Sequence, residues 1–332
     1  MTAYSIHDLC SEINVTEPAA LSYVPFGRHR QRVHILALGD VGTTMLLGLR
    51  LLGGDVISEL GICDINKTNV RRLEMEMNQI CYPFAGQPGQ TSPFLPPVRI
   101  VEEEQLFQCD VFIFCASKGV PPVGADGDVR MAQFEANRTL AAYFARLAGR
   151  AGFSGQVCIV SDPVDPLCSV FLQESGLQPS QIQGYGLGVM NARACYYASL
   201  YPETYGCYVS EGRVFGPHGE DLIVADSIVN YGDQPSRALT KLVVEANRAV
   251  RNLGYKPYIA PALSSAALSI LLTLRGQWHY SSIYFGDGQK GAFFGLKNTM
   301  THSGIVYEDL SVCSALYERM RQAYLALCQL AQ

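Results

Sequence analysis

The sequence lacks several features that would place it in large classes of protein. No block or stripe of Lys and Arg stands out in these 332 residues of net charge -5, so the electrostatic footprint of nucleic-acid binding is missing. No apolar run reaches the roughly 18 residues that span a bilayer. The amino-terminal residues show no basic segment followed by an apolar stretch. We therefore expect no nucleic-acid partner, no membrane anchor and no targeting signal.

The sequence also lacks a CxxC motif, although it contains eleven cysteines. They are scattered, and several lie in apolar runs, which is typical of reduced, buried thiols in a cytoplasmic protein. We expect no metal. With 48% apolar and 17% charged residues, the chain can bury a large core, and its length predicts two domains.

From position 32 onward, apolar strand-like runs alternate with helical segments. Strands are predicted at 32–38, 57–64, 109–117 and 155–163, and helices at 41–53, 69–80 and 131–152. This alternation predicts right-handed βαβ units in a doubly wound parallel sheet of the Rossmann type. The second half mixes short strands with loops and predicts helices at 237–254, 262–274 and about 307–330.

We therefore divide the chain into three parts. Residues 1–31 form a polar, proline-containing extension of uncertain structure. Residues 32–163 form the Rossmann domain, and residues 164–332 form an α+β domain.

The turn "ALGDVG" (37–42) follows the first strand and opens a helix. Gly39 and Gly42 match the second and third glycines of a dinucleotide-binding turn, and Ala37 replaces the first. Asp64 ends the next strand, where a carboxylate accepts hydrogen bonds from a ribose and disfavours a 2′-phosphate, which favours NAD over NADP. The alternative to a dinucleotide site is a tight turn followed by a strand-end aspartate, with no ligand bound. Asp40 would repel the pyrophosphate if it faced it.

Four further stretches follow this turn in order. They are "CASKGVPPVGADGDVRMAQFEAN" (115–137), "VSDPVD" (160–165), "GLGVMNARACYY" (186–197) and "FGPHGE" (215–220). Together with the turn they resemble the lactate/malate dehydrogenase family from position 32 almost to the end. The resemblance implies a Rossmann domain followed by an α+β substrate domain, NAD as cofactor, a 2-oxo or 2-hydroxy acid as substrate, and a homodimer or homotetramer.

The resemblance also implies catalytic roles for three residues. His218 falls on the family's proton donor and acceptor, which suits an imidazole. Arg193 falls on the residue that binds the substrate carboxylate through two hydrogen bonds. Arg130 corresponds to the loop arginine that polarises the reacting carbonyl. The alternative for each residue taken singly is more common. An isolated histidine is more often a polar loop residue, and an isolated arginine is more often a surface residue in an ion pair.

Three further positions lie near the cofactor by the same resemblance. They are Ala116, Asn137 and Asp162. For Asn137 the alternative is an amide on the surface of a helix.

One departure from the family concerns the partner of His218. The family has an aspartate three residues before the carboxylate-binding arginine, and this chain has Met190 there. A thioether can neither accept a strong hydrogen bond nor carry charge, so we expect the ring to lose its orientation and some basicity. Asn191, Glu220 or an acid from elsewhere could replace the aspartate.

Two more departures affect the substrate site. Asp162 stands where the family has an asparagine, which changes charge and hydrogen bonding beside the nicotinamide. The loop between Ala116 and Arg130 is longer than the usual lactate-type loop and lacks the extra arginine of malate-type enzymes, leaving Lys118 as its cation. Neither lactate nor malate is securely indicated.

These observations leave three alternative hypotheses for the function. The first is an NAD-dependent dehydrogenase of an unusual 2-hydroxy or 2-oxo acid, which the retention of His218, Arg130 and Arg193 favours. The second is a catalytically impaired relative that binds NAD or a carboxylate as a sensor or scaffold, which Met190 and Asp162 favour. The third is an oligomer-forming structural protein without a ligand.

Overall fold

The structure is a computed structural model that describes residues 3–24, 27, 29–88, 91–118, 129–219 and 221–331. For residues 129–133 it describes the helical backbone alone. The strands are β1 (Ala3–Ser5), β2 (Gln31–Leu36), β3 (Ile57–Cys63), β4 (Val98–Ile100), β5 (Val111–Phe114), β6 (Gln156–Ile159), β7 (Ile182–Gly184), β8 (Arg213–Phe215), β9 (Ile223–Ala225), β10 (His279–Gly286), β11 (Gly291–Thr301), β12 (Gly304–Tyr307) and β13 (Ser311–Cys313).

In the described part of the chain, ten α-helices connect and cover these strands. They are α1 (Asp40–Leu52), α2 (Lys67–Gln79), α3 (Val129–Arg150), α4 (Val164–Ser175), α5 (Leu187–Leu200), α6 (Pro202–Tyr205), α7 (Tyr208–Glu211), α8 (Asp233–Asn252), α9 (Ser269–Leu274) and α10 (Ser314–Leu330). A π-helical segment (Pro261–Leu268) leads into α9, and short 3-10 helices lie at Ile6–Ile13, Glu103–Gln105 and Pro179–Gln181.

Nine strands form one sheet in the order β12-β11-β10-β7-β6-β5-β2-β3-β4. The six strands from β7 to β4 pair in parallel, and this part confirms the predicted doubly wound sheet. The chain proceeds outward from β2 to β3 and β4, then returns to β5 on the other side of β2. In such sheets the carboxyl ends of the two strands flanking this reversal open a crevice where ligands bind.

The other three strands of the sheet are antiparallel. A long hairpin of β10 and β11 joins the parallel strands through β7, and β12 follows β11 at the edge. The sheet therefore continues past residue 163, and the division into two domains there stays a prediction.

Two predictions for the second half were wrong in detail. The helix expected from about 307 begins at Ser314, because the preceding residues form β12 and β13. The helix predicted over 262–274 is π-helical in its first part.

The amino-terminal residues have more structure than their composition predicts. β1 pairs with β13, and the following 3-10 helix is capped by Ser5. Ile6 and Leu9 are fully buried in the core that also contains the inner face of α10. The segment is thus part of the carboxyl-terminal half of the fold.

Candidate functional site

The turn between β2 and α1 has the geometry of a ligand-binding turn. Ala37 adopts a left-handed conformation with φ of 75°, a conformation that glycine adopts more readily. A Cβ atom at Gly42 would lie 2.1 Å from the Ala37 carbonyl oxygen, so packing requires that glycine. A Cβ at Gly39 would meet nothing within 4 Å. The first turn of α1 is therefore open to a ligand at Gly39, as an anion at a helix amino terminus requires.

Asp64 connects the end of β3 to this turn. Its Oδ2 accepts a hydrogen bond from the Leu38 amide at 2.6 Å, and its Oδ1 accepts one from the Asn66 amide at 2.8 Å. These bonds stabilise the turn, and each oxygen keeps capacity for a second donor such as a ribose hydroxyl. Asp40 forms an exposed ion pair with Lys256, at 3.1 Å, which partly compensates its charge. The residues at this edge fit a dinucleotide.

Asn137 links the ends of β5 and β6. It is fully buried, so the alternative of a surface amide is wrong. Its Oδ1 accepts a hydrogen bond from the Lys118 amide at 2.9 Å, and its Nδ2 donates to the Asp162 carbonyl at 2.7 Å. Ala116 is also buried, and its carbonyl accepts a bond from the Ser161 hydroxyl at 2.7 Å. A direct contact of either residue with a cofactor stays a prediction.

His218 lies in the loop between β8 and β9, and its side chain is only 15% exposed. Its Nδ1 is 3.1 Å from Oδ1 of Asp162, and its backbone amide donates to Oδ2 of Asp165 at 3.4 Å. Its Nε2 is buried and has no hydrogen-bond partner among the described residues. His218 is therefore not a solvated loop residue, and the acid from elsewhere that partners it is Asp162.

The other two candidates for its partner do not take this place in the described part of the chain. The side chain of Asn191 accepts a hydrogen bond from the Tyr208 hydroxyl at 2.9 Å. Glu220 lies outside the described residues.

Asp165 is a site residue to which the sequence analysis gave no role. It is 2% exposed in the first turn of α4, and its Oδ1 accepts a hydrogen bond from the Ser282 hydroxyl. Burial raises the pKa of this carboxyl to about 6, and the bonds from Ser282 and His218 offset part of that rise. The available signal was an acid placed directly after a buried strand, in "VSDPVD".

Arg193 is a largely buried guanidinium on α5. Its NH2 group donates to Oδ1 of Asn247 on α8, and its NH1 group lies 3.6 Å from the Met190 sulfur. No carboxylate of the described residues lies within ion-pair distance of it. Burial lowers the pKa of Arg193, which indicates that its charge is poorly solvated.

One cavity of about 440 Å³ brings several of these side chains together. Asp162, Met190, Arg193 and His218 all line it. Gly39, Gly42 and Asp64 are not among its lining residues, since they belong to the turn after β2. The side chain of Arg130 lies outside the described part of the structure.

The described residues contain neither a membrane-spanning helix nor a cluster of metal ligands. No helix within these ranges is both long and apolar enough to cross a bilayer. No three His, Cys, Asp or Glu side chains among them are grouped so that they could hold a metal ion.

The chain was compared with proteins of known sequence and structure. No family model matches it. It is 26% identical over 205 residues to an L-lactate dehydrogenase of Treponema denticola, covering 60% of this chain and 59% of the relative. It is 25% identical over 213 residues to an L-lactate dehydrogenase of Mycoplasma pneumoniae, covering 63% of each. The matched region spans about three fifths of these relatives.

Solved structures show the same fold over most of the chain. A lactate dehydrogenase from a Medee basin deep-sea metagenome library superimposes with a TM-score of 0.73 at 17% identity, covering 91% of this chain and 98% of that one. The malate dehydrogenase of Cryptosporidium parvum gives a TM-score of 0.69 at 19% identity, with the same coverage.

The resemblance of this chain to the lactate/malate dehydrogenases is confirmed by these sequence relatives and solved structures. The low identities show that the chain diverges from them. The fold class expected from the resemblance, a Rossmann sheet followed by an α+β substrate region, is confirmed. The departures from the family pattern at Met190 and Asp162 concern side chains that line one cavity.

The buried carboxyl of Asp165 gives the stability of this protein a testable pH dependence. Because its pKa is raised in the folded chain, the folded state binds more protons than the unfolded state between about pH 4 and pH 6. Its contribution to the free energy of unfolding therefore falls as the pH rises through that window, by up to about 3 kcal/mol. We expect Asp165→Asn to remove this fall, measured by urea unfolding at pH 4.5 and pH 7.5.

The matched control is Asp221→Asn, which changes an exposed carboxylate at the rim of the same cavity. It should leave the pH dependence of the unmodified chain in place. If the free energy of unfolding depends on pH in the same way for Asp165→Asn and the unmodified protein, Asp165 is not the source of the pH dependence.

Proposed function

We propose that this protein is an NAD-dependent dehydrogenase that transfers hydride between NAD(H) and a 2-hydroxy or 2-oxo acid. The observation that carries the proposal is the shared cavity, in which a histidine with a carboxylate partner lies with a guanidinium that has no carboxylate partner in the described structure. A noncatalytic scaffold has no requirement for this combination.

Arg193 binds the substrate carboxylate in this proposal. A planar guanidinium accepts a carboxylate through two parallel hydrogen bonds, which fixes the position and direction of the acid. The ligand would supply the carboxylate partner that the buried guanidinium lacks among the described residues. Asn247 fixes the orientation of the guanidinium by accepting a hydrogen bond from its NH2 group. Arg130 keeps its predicted role of polarising the reacting carbonyl.

His218 and Asp162 together handle the proton. The carboxylate of Asp162 holds the imidazole through Nδ1 and favours the tautomer with the proton on that atom. Asp162 is 51% exposed and lines the cavity, so this edge of the ring is next to the substrate space. In reduction, the His218–Asp162 pair carries one additional proton and passes it to the carbonyl oxygen, which leaves a neutral imidazole beside an ionised carboxylate. In oxidation, the hydroxyl proton returns to the pair.

The dinucleotide lies at the crevice between β2 and β5 in this proposal, with Gly39 beneath its pyrophosphate and Asp64 beside its ribose. When bound, the cofactor supplies or accepts the hydride. Asn137 acts indirectly, because its buried amide fixes the ends of both β5 and β6.

The cofactor assignment is tested with a matched glycine pair. Gly39→Ala should weaken NADH binding at least about tenfold without loss of stability, because its Cβ enters open space that the pyrophosphate needs. Gly42→Ala should instead destabilise the chain, because its Cβ meets backbone. NADH fluorescence titration and thermal unfolding measure the two effects.

The choice of NAD over NADP is tested separately at Asp64. Asp64→Asn should reduce the preference for NADH over NADPH, since the carboxylate repels a 2′-phosphate. A damaged turn would weaken both dinucleotides alike. Equal affinity of the unmodified chain for both would refute the role of Asp64.

The proton-transfer assignment is tested at Asp162. Asp162→Asn restores the family's residue, yet we expect it to lower kcat by about 10²- to 10⁴-fold and to change the pH dependence of kcat, because His218 loses its carboxylate. The double variant Asp162→Asn with Met190→Asp returns the carboxylate to the family's position and should recover part of the activity. Steady-state NADH oxidation over a pH series measures both.

His218→Ala should abolish turnover in every background. If Asp162→Asn is as active as the unmodified protein, Asp162 does not position the histidine. If no 2-oxo acid is reduced by any of these proteins while NADH and oxamate still bind, the chain is a noncatalytic binder.

We also propose a homo-oligomer. The helix α1 exposes Leu47, Leu51 and Leu52, and the π-helical segment packed against α1 exposes Leu268. Apolar faces of this kind are usually covered in dimers and tetramers. Light scattering at micromolar concentration should give a dimeric or tetrameric mass. Leu47→Lys with Leu51→Lys should lower that mass, whereas Val229→Lys, in the segment before α8, should not.

A further inference from the structure

One side of the cavity that contains His218 and Arg193 is apolar. Its apolar side chains come from four helices and include Phe134, Val164, Val244, Ala326, Leu327 and Leu330. Three of these six lie in the last two turns of α10. The polar groups come from the segment after β6, the first two turns of α5 and the loop after β8, so the cavity has one charged region and one hydrocarbon region.

The charges of the cavity are unevenly balanced. Arg193 is the single cation among the described lining residues, whereas Asp162, Asp165 and Asp221 supply three carboxyl groups. Among the described lining residues a ligand with a second carboxylate would meet no cation besides Arg193 and would be repelled by like charge.

The size of the cavity exceeds the need of a small 2-oxo acid. A volume of about 440 Å³ lies in the range of about 300–1,000 Å³ of pockets that hold drug-sized ligands, so there is room for a nicotinamide ring beside an acid larger than pyruvate. Pyruvate carries a single methyl group as its side chain and would leave the apolar wall in contact with water. A larger hydrocarbon side chain would cover that wall and release the water.

We infer that the substrate is a 2-oxo monocarboxylic acid whose side chain is a branched hydrocarbon of about the size of isobutyl. This inference rests on the proposed function and specifies its substrate class. The carboxylate binds Arg193, the carbonyl oxygen faces His218 and Asp162, and the side chain contacts Val244, Leu327 and Leu330. Each buried methylene contributes about a fourfold gain in affinity, so isobutyl should exceed methyl by at least about tenfold.

The test measures the binding of three nonreactive acids to the protein saturated with NADH, by calorimetry. Oxamate is isosteric with pyruvate, N-isopropyl oxamate is isosteric with 4-methyl-2-oxopentanoate, and hydroxymalonate carries a second carboxylate. We expect N-isopropyl oxamate to bind at least about tenfold more tightly than oxamate, and hydroxymalonate to bind most weakly.

Two substitutions test the wall itself. Leu330→Ser should lower the ratio of N-isopropyl oxamate to oxamate affinity several-fold, since it removes part of the hydrocarbon surface. Leu253→Ser is the matched control, because Leu253 is 75% exposed and does not line the cavity, and it should leave that ratio unchanged. Val244→Arg supplies a second cation and should raise the affinity for hydroxymalonate at least about tenfold.

The outcomes separate the substrate class from the proposed function. If oxamate binds and Arg193→Lys weakens it, but N-isopropyl oxamate binds no better, the substrate class is wrong and the dehydrogenase proposal stands. If hydroxymalonate binds most tightly, the substrate class is likewise wrong. If none of the acids binds and Arg193→Lys behaves like the unmodified protein, both proposals fail.

Discussion

One buried carboxylate holds the candidate site together. Asp165 accepts hydrogen bonds from the backbone of His218 and the hydroxyl of Ser282, and so joins α4, the loop after β8 and the strand β10. Because an unpaired charge in the interior is costly, these two donors must stay close to it. The raised pKa of Asp165, about 6, indicates that they offset only part of the cost of burial. The position of His218 therefore depends on a residue that itself contacts no substrate in the proposed function.

The two main departures from the family pattern are connected in space. Along the sequence, Met190 and Asp162 stand 28 positions apart, one removing an acid and the other adding one. In the structure both line one cavity, and the added carboxylate is 3.1 Å from the ring of His218. The site thus retains one carboxylate for its histidine. This carboxylate follows β6, whereas the family's carboxylate lies on the helix that corresponds to α5. It therefore contacts the ring of His218 from the exposed side. The Nε2 atom of the ring stays buried without a partner in the described residues.

How much the sequence predicts depends on which forces fix each element. The parallel strands are predictable because burial on both faces produces continuous apolar runs. The turn is predictable because a backbone contact demands glycine at Gly42. Residues from about 307 to 313, which form the end of β12 and the strand β13, were predicted as helix. Their apolar residues also suit helical spacing, and pairing with β11 and β1 decides their conformation. Tertiary contact likewise orders residues 3–13, whose polar composition gave no signal.

In the site too, local sequence motifs predict some residues, whereas contacts between distant parts of the chain determine the others. The order of motifs was enough to single out His218 and Arg193, but their partners come from distant parts of the chain, 56 and 54 positions away at Asp162 and Asn247. Those partners determine the chemistry. Arg193 has an amide and a thioether as neighbours, which satisfy hydrogen bonds without neutralising its charge. The free protein therefore retains an unfavourable buried cation. A monocarboxylate ligand would pair with this cation and remove the unfavourable free energy. In the proposed function Arg193 therefore supplies affinity, while His218 and Asp162 act on the reacting oxygen.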